Sequence, residues 1–483
     1  MNSRQLGMYV HTHWHYNHPY AARTWTLDDW RGLLSGLRGL GYDFVQVWPM
    51  VDIMPDPLTP SDHAHLARLG SVIDMAHDSF GMKVIVGACA NIVGNDKAAG
   101  FSFENRPYFV SERKINPGSA AEVDELFRRR REVLVPLSRA DGLWVIDSDP
   151  GGYAGSPPEE FVALLGRYRT LLDGFRPGIE LIYWMWFGWS AGNRPEESWT
   201  AVLSGLKDLN PEPWSMRICL PQHVPVAKAM GVLDRACSFR YNAIENEPSM
   251  PWTRHEPERL FRDVTEIPGP RGALGNAQTY AVQLPHVYYF SHFSRGGTPA
   301  TADLEGFAER LLPGGGGSIA AAFRAMGDST EEEIHSAARA LERLKPGEPG
   351  DLGGLLFGSP ERFLNDLRVQ LKLRAAEQRL EAATSPDALR TALREIREPL
   401  AAWCRCHGFG DYGWLTPVSK IGSASETLAI KDVAELFRHG PAEDHRHGFM
   451  QRLLETLQRV WEEWREVKRF IHAPLFLRPG GTT

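Results

Sequence analysis

The sequence predicts an α/β protein: a closed (β/α)8 TIM barrel followed by a C-terminal α-helical bundle. Short apolar runs alternate eight times with amphipathic stretches before residue 300, and eight such units over about 300 residues suit this barrel. Beyond that point strand patterns vanish and helical patterns dominate. The alternative, an open doubly wound sheet, typically carries a Gly-x-Gly-x-x-Gly turn after its first strand. This chain has His-Thr-His-Trp-His at that position instead, which favours the barrel. We therefore expect a barrel domain over residues 1–300 and a helical domain over residues 301–483.

The individual elements follow from the spacing of apolar residues. Strands are predicted at residues 6–11, 44–48, 83–88, 142–147, 180–187, 215–220, 237–241 and 273–276. Amphipathic patterns predict barrel helices at residues 27–40, 62–80, 120–137, 158–172, 196–206 and 224–233. The first of these follows Thr26, which together with two acids in the first turn is typical of a helix start. In the second domain, helices are predicted at residues 303–312, 318–326, 330–344, 360–383, 386–404, 425–437 and 448–471.

Composition narrows the class of protein. The chain has 483 residues, a formal net charge of −7 and 43% hydrophobic residues, which argues for a globular protein that does not bind nucleic acid. The one basic run, residues 128–131, stands among acids and is predicted to be the solvated face of a helix. There is no run of 18 apolar residues and no apolar signal core at the start. We expect a soluble, cytoplasmic protein that makes no membrane contact.

The most informative segment is the end of the predicted fourth strand. Asp147 and Asp149 follow the apolar run there, and alternation along a strand would point both carboxylates the same way, roughly 6.5 to 7 Å apart. Pro150 and two glycines then break the strand. Paired carboxylates at the end of a buried strand are what glycosidic bond cleavage requires. The alternative is that both aspartates cap a loop and bind backbone N–H groups.

The other strand ends supply further candidates, because function in a barrel gathers at the carboxyl ends of its strands. Glu245 and Glu247 after strand seven are reserve catalytic residues. Polar and aromatic residues at the remaining ends suit a polyhydroxylated ligand, with Trp184 and Trp186 predicted to form one stacking wall. The complete set of predicted substrate-binding residues is His11, His13, Trp14, Trp48, Asn91, Trp184, Trp186, Tyr241, Asn242, Asn276 and Gln278.

His11 and His13 also raise a metal alternative, because His-x-His after strand one is a metal signature in amidohydrolase-like barrels. That chemistry needs further ligands after strands four, five or six, and eight. The end of strand five is aromatic here, and strand eight ends with Asn276 and Gln278. We therefore expect no metal site and no cofactor, and a role for His11 or His13 in binding sugar hydroxyls, with plain packing as the alternative.

The segment Asp141-Gly142-Leu143, followed by Asp147-Ser148-Asp149, resembles the strand-four signature of family 18 chitinases. It departs from that signature by one extra residue, and by Asp in place of the acidic Glu. It also resembles the family 84 and family 20 hexosaminidases. There, neighbouring acids after strand four divide the work: one orients the substrate acetamido group and the other protonates the leaving oxygen. The helical domain, entered through residues 307–313, is similar to that of family 84 and, more distantly, of family 67 α-glucuronidases.

Together these observations predict a glycoside hydrolase with Asp149 as general acid and Asp147 as its partner. The expected substrate is a glycan that contains an N-acetylhexosamine or a uronic acid. The alternatives are a metal-dependent, amidohydrolase-like barrel and a non-catalytic carbohydrate-binding barrel. The helical domain is expected to stabilise the barrel or to pair two chains as a homodimer, and the loop at residues 407–414 to bury itself between the domains or close over the barrel mouth.

Overall fold

In a computed structural model of the chain, eight parallel strands form a closed barrel, which confirms the predicted fold class. The structure describes residues 4–13, 16–148, 151–189, 195–245, 253 and 255–382, with residues 388, 391, 392, 395, 399, 402, 403, 406 and 407. Each barrel strand pairs with the next along the chain, and β8 closes the barrel against β1. The strands are β1 Gln5–His11, β2 Phe44–Trp48, β3 Lys83–Cys89, β4 Gly142–Ile146, β5 Glu180–Met185, β6 Trp214–Ile218, β7 Ala236–Arg240 and β8 Gly272–Ala277.

One helix follows each strand on the outside of the barrel. These helices are α1 Leu27–Gly39, α2 Pro60–Phe80, α3 Ala120–Leu134, α4 Pro158–Asp173, α5 Pro195–Leu209, α6 His223–Ala229, α7 Pro257–Glu266 and α8 Leu284–Ser294. The first six match the predicted helices, and the last two were not predicted. α8 is buried on nearly all sides, so its sequence is mostly apolar and aromatic and lacks the helical alternation. α7 is short and buries one residue, Leu260.

A layer of aromatic rings fills the middle of the barrel. The ring of Tyr9 lies 5.4 Å from those of both Trp184 and Phe239, and Trp144 lies 4.8 Å from Trp184. Gly87 on β3 makes room for this layer, because a Cβ there would lie 1.7 Å from the Trp144 ring. The barrel centre is therefore a packed core, and any ligand site must lie above or below it.

The chain after the barrel is helical as far as it is described, as predicted. Its helices are α9 Leu304–Leu311, α10 Gly316–Ala325, α11 Glu331–Arg343 and α12 Pro360–Glu381. The helices predicted at residues 425–437 and 448–471 lie outside the described residues, as does most of the one at 386–404. No helix in the described part of the chain is long and apolar enough to cross a membrane.

The helical region packs on α1 and on the loops at the carboxyl ends of the strands. The ring of Phe357 lies 4.9 Å from that of Trp25, just before α1. In the loop between β1 and α1, the Tyr20 hydroxyl donates to Asp366 on α12 at 2.5 Å. His407 is fully buried, and its ring lies 4.6 Å from that of Tyr20. The start of the segment at 407–414 is thus buried against the barrel, while the rest of it lies outside the described residues.

Candidate active site

Trp184 and Trp186, which were predicted to form one stacking wall after β5, lie in different places: one in the barrel core and the other at the barrel mouth. Trp184 belongs to the aromatic layer inside the barrel, and its ring lies 4.5 Å from Phe239. This corrects its assignment as a sugar-stacking residue, because other protein rings surround its indole. Trp186, two residues on, packs 4.8 Å from the ring of Tyr241 after β7. The Phe187 ring lies 4.7 Å from that of Trp186, tilted by 53°, and is 48% exposed, so the aromatic surface of the mouth begins at Trp186.

His11 and His13 lie in an aromatic cluster at the end of β1. The His11 ring lies 5.1 Å from Trp48, and its Nδ1 accepts a hydrogen bond from the backbone N–H of His13 at 3.0 Å. The His13 ring lies 5.3 Å from Tyr108 and 5.6 Å from Phe109. Trp14 lies outside the described residues. In the described ranges, no group of three or more His, Cys, Asp or Glu side chains could hold a metal ion.

Trp48 is tied to a buried ion pair beneath the mouth. Its indole Nε1 donates to Asp52 at 2.8 Å, and the Arg130 guanidinium donates to the same carboxylate at 2.6 Å. Burial raises the pKa of Asp52, and the charge of Arg130 opposes that rise. Arg129 and Arg130 are both buried. The prediction that the basic run is a solvated helix face is therefore wrong for these two residues, because α3 turns them toward the barrel.

Asn91, at the end of β3, bridges two loops of the mouth. Its side-chain amide donates to the backbone oxygen of Ile115 at 3.0 Å and to that of Gly152 at 3.2 Å. Lys114 donates to the neighbouring Gly151 oxygen at 2.8 Å. The loop that follows β4 is therefore held at its glycines by the loop that follows β3.

Asp147 is fully buried and bound to the end of β5. Its carboxylate accepts hydrogen bonds from the Tyr183 hydroxyl at 2.8 Å, from the backbone N–H of Trp186 at 3.2 Å, and from the Ser148 hydroxyl at 2.9 Å. Burial raises its pKa to about 6, and these hydrogen bonds oppose the rise. For Asp147, these contacts agree with the alternative role considered in the sequence analysis, in which the carboxylate binds backbone N–H groups.

The direction of the Asp147 side chain follows from strand parity. Trp144 points into the barrel against Tyr9, and Ile146 is paired in register with the inward-facing Trp184. The next residue, Asp147, therefore points outward, toward the layer between the sheet and its helices. Asp149 lies outside the described residues.

Glu245, after β7, is bound to the end of the next strand, β8, as Asp147 is bound to the end of β5. It is fully buried and accepts hydrogen bonds from the backbone N–H groups of Gln278 at 2.7 Å and Thr279 at 2.8 Å, and from the Thr279 hydroxyl. Asn276 on β8 donates to the backbone oxygen of Tyr241 at 3.0 Å. Glu247 lies outside the described residues. Both acid-x-acid segments therefore begin with a carboxylate that binds the end of a different strand.

Of the remaining predicted residues, Asn242 accepts a hydrogen bond through its backbone oxygen from Arg259 at 3.2 Å, so its main chain is part of the loop scaffold. The sequence analysis missed two exposed rings, Phe187 and Phe109, which are 48% and 54% exposed. Phe187 lies two residues beyond the end of β5 and directly after Trp186, and this run of aromatic residues was a usable signal. Phe109 belongs to the segment between β3 and α3, where a short hairpin joins Ile92–Gly94 to Glu112–Lys114 and no strand pattern was recognised.

Comparison with known proteins finds chains of similar fold among solved structures. A mutant of the Thermobaculum terrenum O-GlcNAc hydrolase matches 98% of this chain and 99% of its own, at a TM-score of 0.50 and 10% identity. The protein CpGH84D matches over 94% and 75%, at a TM-score of 0.41 and 10% identity. A GH20 module of the pneumococcal exo-β-D-N-acetylglucosaminidase StrH matches 77% of this chain and 98% of its own, at a TM-score of 0.38 and 9% identity. No family model and no curated protein matches the sequence. At these identities, the likeness concerns the fold alone.

Proposed function

We propose that this protein is a glycoside hydrolase that acts on a glycan containing an N-acetylhexosamine, with a uronic acid as the next choice of sugar. The observation that carries the proposal is the pair of acid-x-acid segments that follow β4 and β7 in the sequence, each of which begins with a buried carboxylate. After β4 and after β7, the first carboxylate is buried and bound to the end of another strand. The fold likeness to an O-GlcNAc hydrolase over nearly the whole chain supports the choice of sugar.

In this proposal, Asp149 is the general acid and Glu247 is the second carboxylate. Asp147 and Glu245 are positioning residues, because their oxygens are already occupied by backbone and hydroxyl donors. This replaces Asp147 as the partner of Asp149. One carboxylic acid that protonates the leaving oxygen and one carboxylate that supports the reacting carbon are sufficient for glycoside hydrolysis. The chemistry needs no cofactor.

The substrate would bind against the aromatic surface of the mouth. Trp186 and Tyr241 pack edge to face, with an interplanar angle of 83°, and the exposed Phe187 extends this surface outward. A flat ring favours the apolar face of a pyranose, and the side-chain amide of Gln278 at the end of β8 suits a hydroxyl or acetamido group.

A panel of nitrophenyl glycosides tests the proposal. On the best substrate found, Asp149→Asn should lower kcat by at least about a hundredfold, the range typical of a lost general acid. Asp74→Asn is the matched control, since Asp74 is an exposed carboxylate on α2 that pairs with Arg139. Full activity in both Asp149→Asn and Glu247→Gln would refute the assignment. Activity confined to non-acetylated hexosides would exclude the N-acetylhexosamine.

A non-catalytic carbohydrate-binding barrel is the second candidate. It is favoured by the fact that both candidate carboxylates in the described ranges, Asp147 and Glu245, bind protein donors. Sugar binding without turnover in calorimetry and in the glycoside panel would support it. Stoichiometric metal that is lost in His13→Ala would instead support the metal-dependent alternative and overturn both proposals.

We also propose that the helical domain, residues 301–483, stabilises the barrel by covering α1. A Cβ at Gly36 would lie 2.3 Å from the side chain of Leu355, and Phe357 covers Trp25. Truncation after Ala300 would expose this apolar surface, so the shortened chain should aggregate or unfold at a lower temperature. A folded fragment with normal turnover would show that the domain is dispensable. Light scattering of the full chain would test whether two copies pair.

A further inference from the structure

A cavity opens at the end of the barrel opposite the mouth, at the amino ends of the strands. Its volume is about 240 Å³, far above the roughly 10–15 Å³ that holds one water molecule. The packed aromatic layer separates it from the mouth, so it is independent of the proposed glycosidase site. The residues on its wall that matter here are Phe44, Lys83, Asp141, Glu180, Ser215 and Arg217.

Arg217 is the central charge of this cavity. It lies on β6 and is 3% exposed. Its Nε donates to the side-chain oxygen of Gln46 at 2.9 Å, and its guanidinium lies 5.7 Å from the ring centre of Phe44. Across the described ranges, no carboxylate forms an ion pair with it. A buried cation without an anionic partner is costly, and an arriving anion would recover that cost.

The two carboxylates on the cavity wall have other partners. Asp141 accepts hydrogen bonds from His77 at 2.8 Å and from the backbone N–H of Val84 at 2.8 Å. Glu180 pairs with Arg271 at 2.6 Å. Lys83 is exposed at the opening and adds a second positive charge. The cavity therefore carries an excess of positive charge around Arg217.

Uncharged donors in the same region are also unused. The Ser215 hydroxyl and the Gln46 amide nitrogen are buried and have no hydrogen-bond partner among the described residues. Burial raises the pKa of the neighbouring Cys237 thiol; the charges of Arg217 and Arg271 oppose that rise, and Glu180 adds to it. A hydroxyl that lines a cavity and lacks a partner is a ready donor to a ligand.

We propose that this cavity binds a small tetrahedral oxyanion of the phosphate or sulfate class. The two terminal nitrogens of Arg217 would hold two of its oxygens, as an arginine fork does. The Ser215 hydroxyl would donate to a third oxygen, and Lys83 would attract the anion to the opening. The anion would thereby link β6 to neighbouring strands at the base of the barrel.

The competing arrangement is structural: Arg217 stays unpaired, supported by Gln46 and the face of Phe44. The two arrangements differ in their response to phosphate. If the cavity binds phosphate, the melting temperature of the full-length protein rises with phosphate concentration, as expected for a ligand of the folded state. If Arg217 has a purely structural role, inorganic phosphate and sodium chloride of equal ionic strength have the same effect.

The test combines thermal melting with calorimetric titration of inorganic phosphate into the full-length protein. We expect one site per chain, loss of the phosphate effect in Arg217→Met, and at least about tenfold weaker binding in Ser215→Ala, the effect of losing a hydrogen bond to a charged group. Lys83→Gln should also weaken binding. Arg31→Met is the matched control, since Arg31 is an exposed residue of α1.

If Arg217→Met does not fold, Ser215→Ala and Lys83→Gln still decide the question. Unchanged phosphate affinity in both variants would overturn the proposal. So would a wild-type protein whose melting temperature responds no more to phosphate than to chloride. A phosphate effect lost equally in Arg31→Met would also overturn it, because the binding would then be nonspecific.

Discussion

Replacing Asp147 by asparagine should change how the stability of the protein depends on pH. Asp147 is fully buried, and burial raises its pKa from a usual value of 3.8 to about 6. The folded state therefore holds this proton more tightly than the unfolded state does. Between about pH 4 and pH 6, the unfolded chain has lost the proton and the folded chain has kept it, so the free energy of unfolding falls as pH rises.

The size of the effect follows from the two pKa values. Integrated from pH 4 to pH 7, this single group lowers the free energy of unfolding by about 2 kcal/mol. Asparagine has nearly the same shape and does not titrate, so the variant lacks this term. Changes in the hydrogen bonds to Tyr183 and Trp186 add a constant difference that does not vary with pH.

The assay is urea unfolding of the wild-type protein and of Asp147→Asn in steps from pH 4 to pH 7. The free energy of the variant minus that of the wild type should rise by about 2 kcal/mol over this range. Subtraction removes the contribution of every other titrating group. Asp74→Asn, at an exposed carboxylate, should give a difference that hardly changes. A flat or falling difference for Asp147→Asn would refute the idea that this carboxyl group is buried against the end of β5.

Three further predictions concern the core, a buried ion pair and the mouth. Gly87→Ala should lower the free energy of unfolding by about 1–3 kcal/mol, because the new Cβ would force the Trp144 ring to move; urea unfolding that matches the wild type would contradict this packing. Arg130→Met should lower the free energy of unfolding by about 3–5 kcal/mol, because Asp52 would remain buried without its partner. A variant as stable as the wild type in urea unfolding would show that the ion pair is dispensable. Phe187→Ala should lower kcat/KM on the best glycoside and leave the melting temperature unchanged, since its ring is 48% exposed; unaltered kinetics would remove Phe187 from the substrate surface.

The strand pattern was readable from the sequence because each strand is buried on both faces. Parallel barrel strands form short apolar runs, and all eight runs correspond to strands of the barrel. The first helices were readable because one face of each meets water. α8 was not, since the helical region covers it: the ring of Tyr288 on α8 stacks at 4.7 Å on Phe307 of α9. A helix covered on both sides loses the alternation that reveals it.

The positions of the candidate site residues were predictable, but their roles were less so. Asp147 and Glu245 were recognised as acids at strand ends. Their partners are backbone N–H groups of other strands, which no pattern within their own segments reveals. Arg130 was assigned to a solvated face because its neighbours in sequence are charged. Its carboxylate partner, Asp52, lies 78 residues away along the chain.

The sequence by itself determined the order of strands and helices, the barrel class and the ends at which polar residues gather, because these depend on local periodicity and on the length of each unit. The tertiary structure alone decided which way each side chain points and what it meets. Trp184 lies in the core, Trp186 lies at the mouth, and Arg217 lines a cavity at the opposite end of the barrel. These outcomes depend on contacts between segments that are distant in sequence, and such contacts form only when the barrel closes.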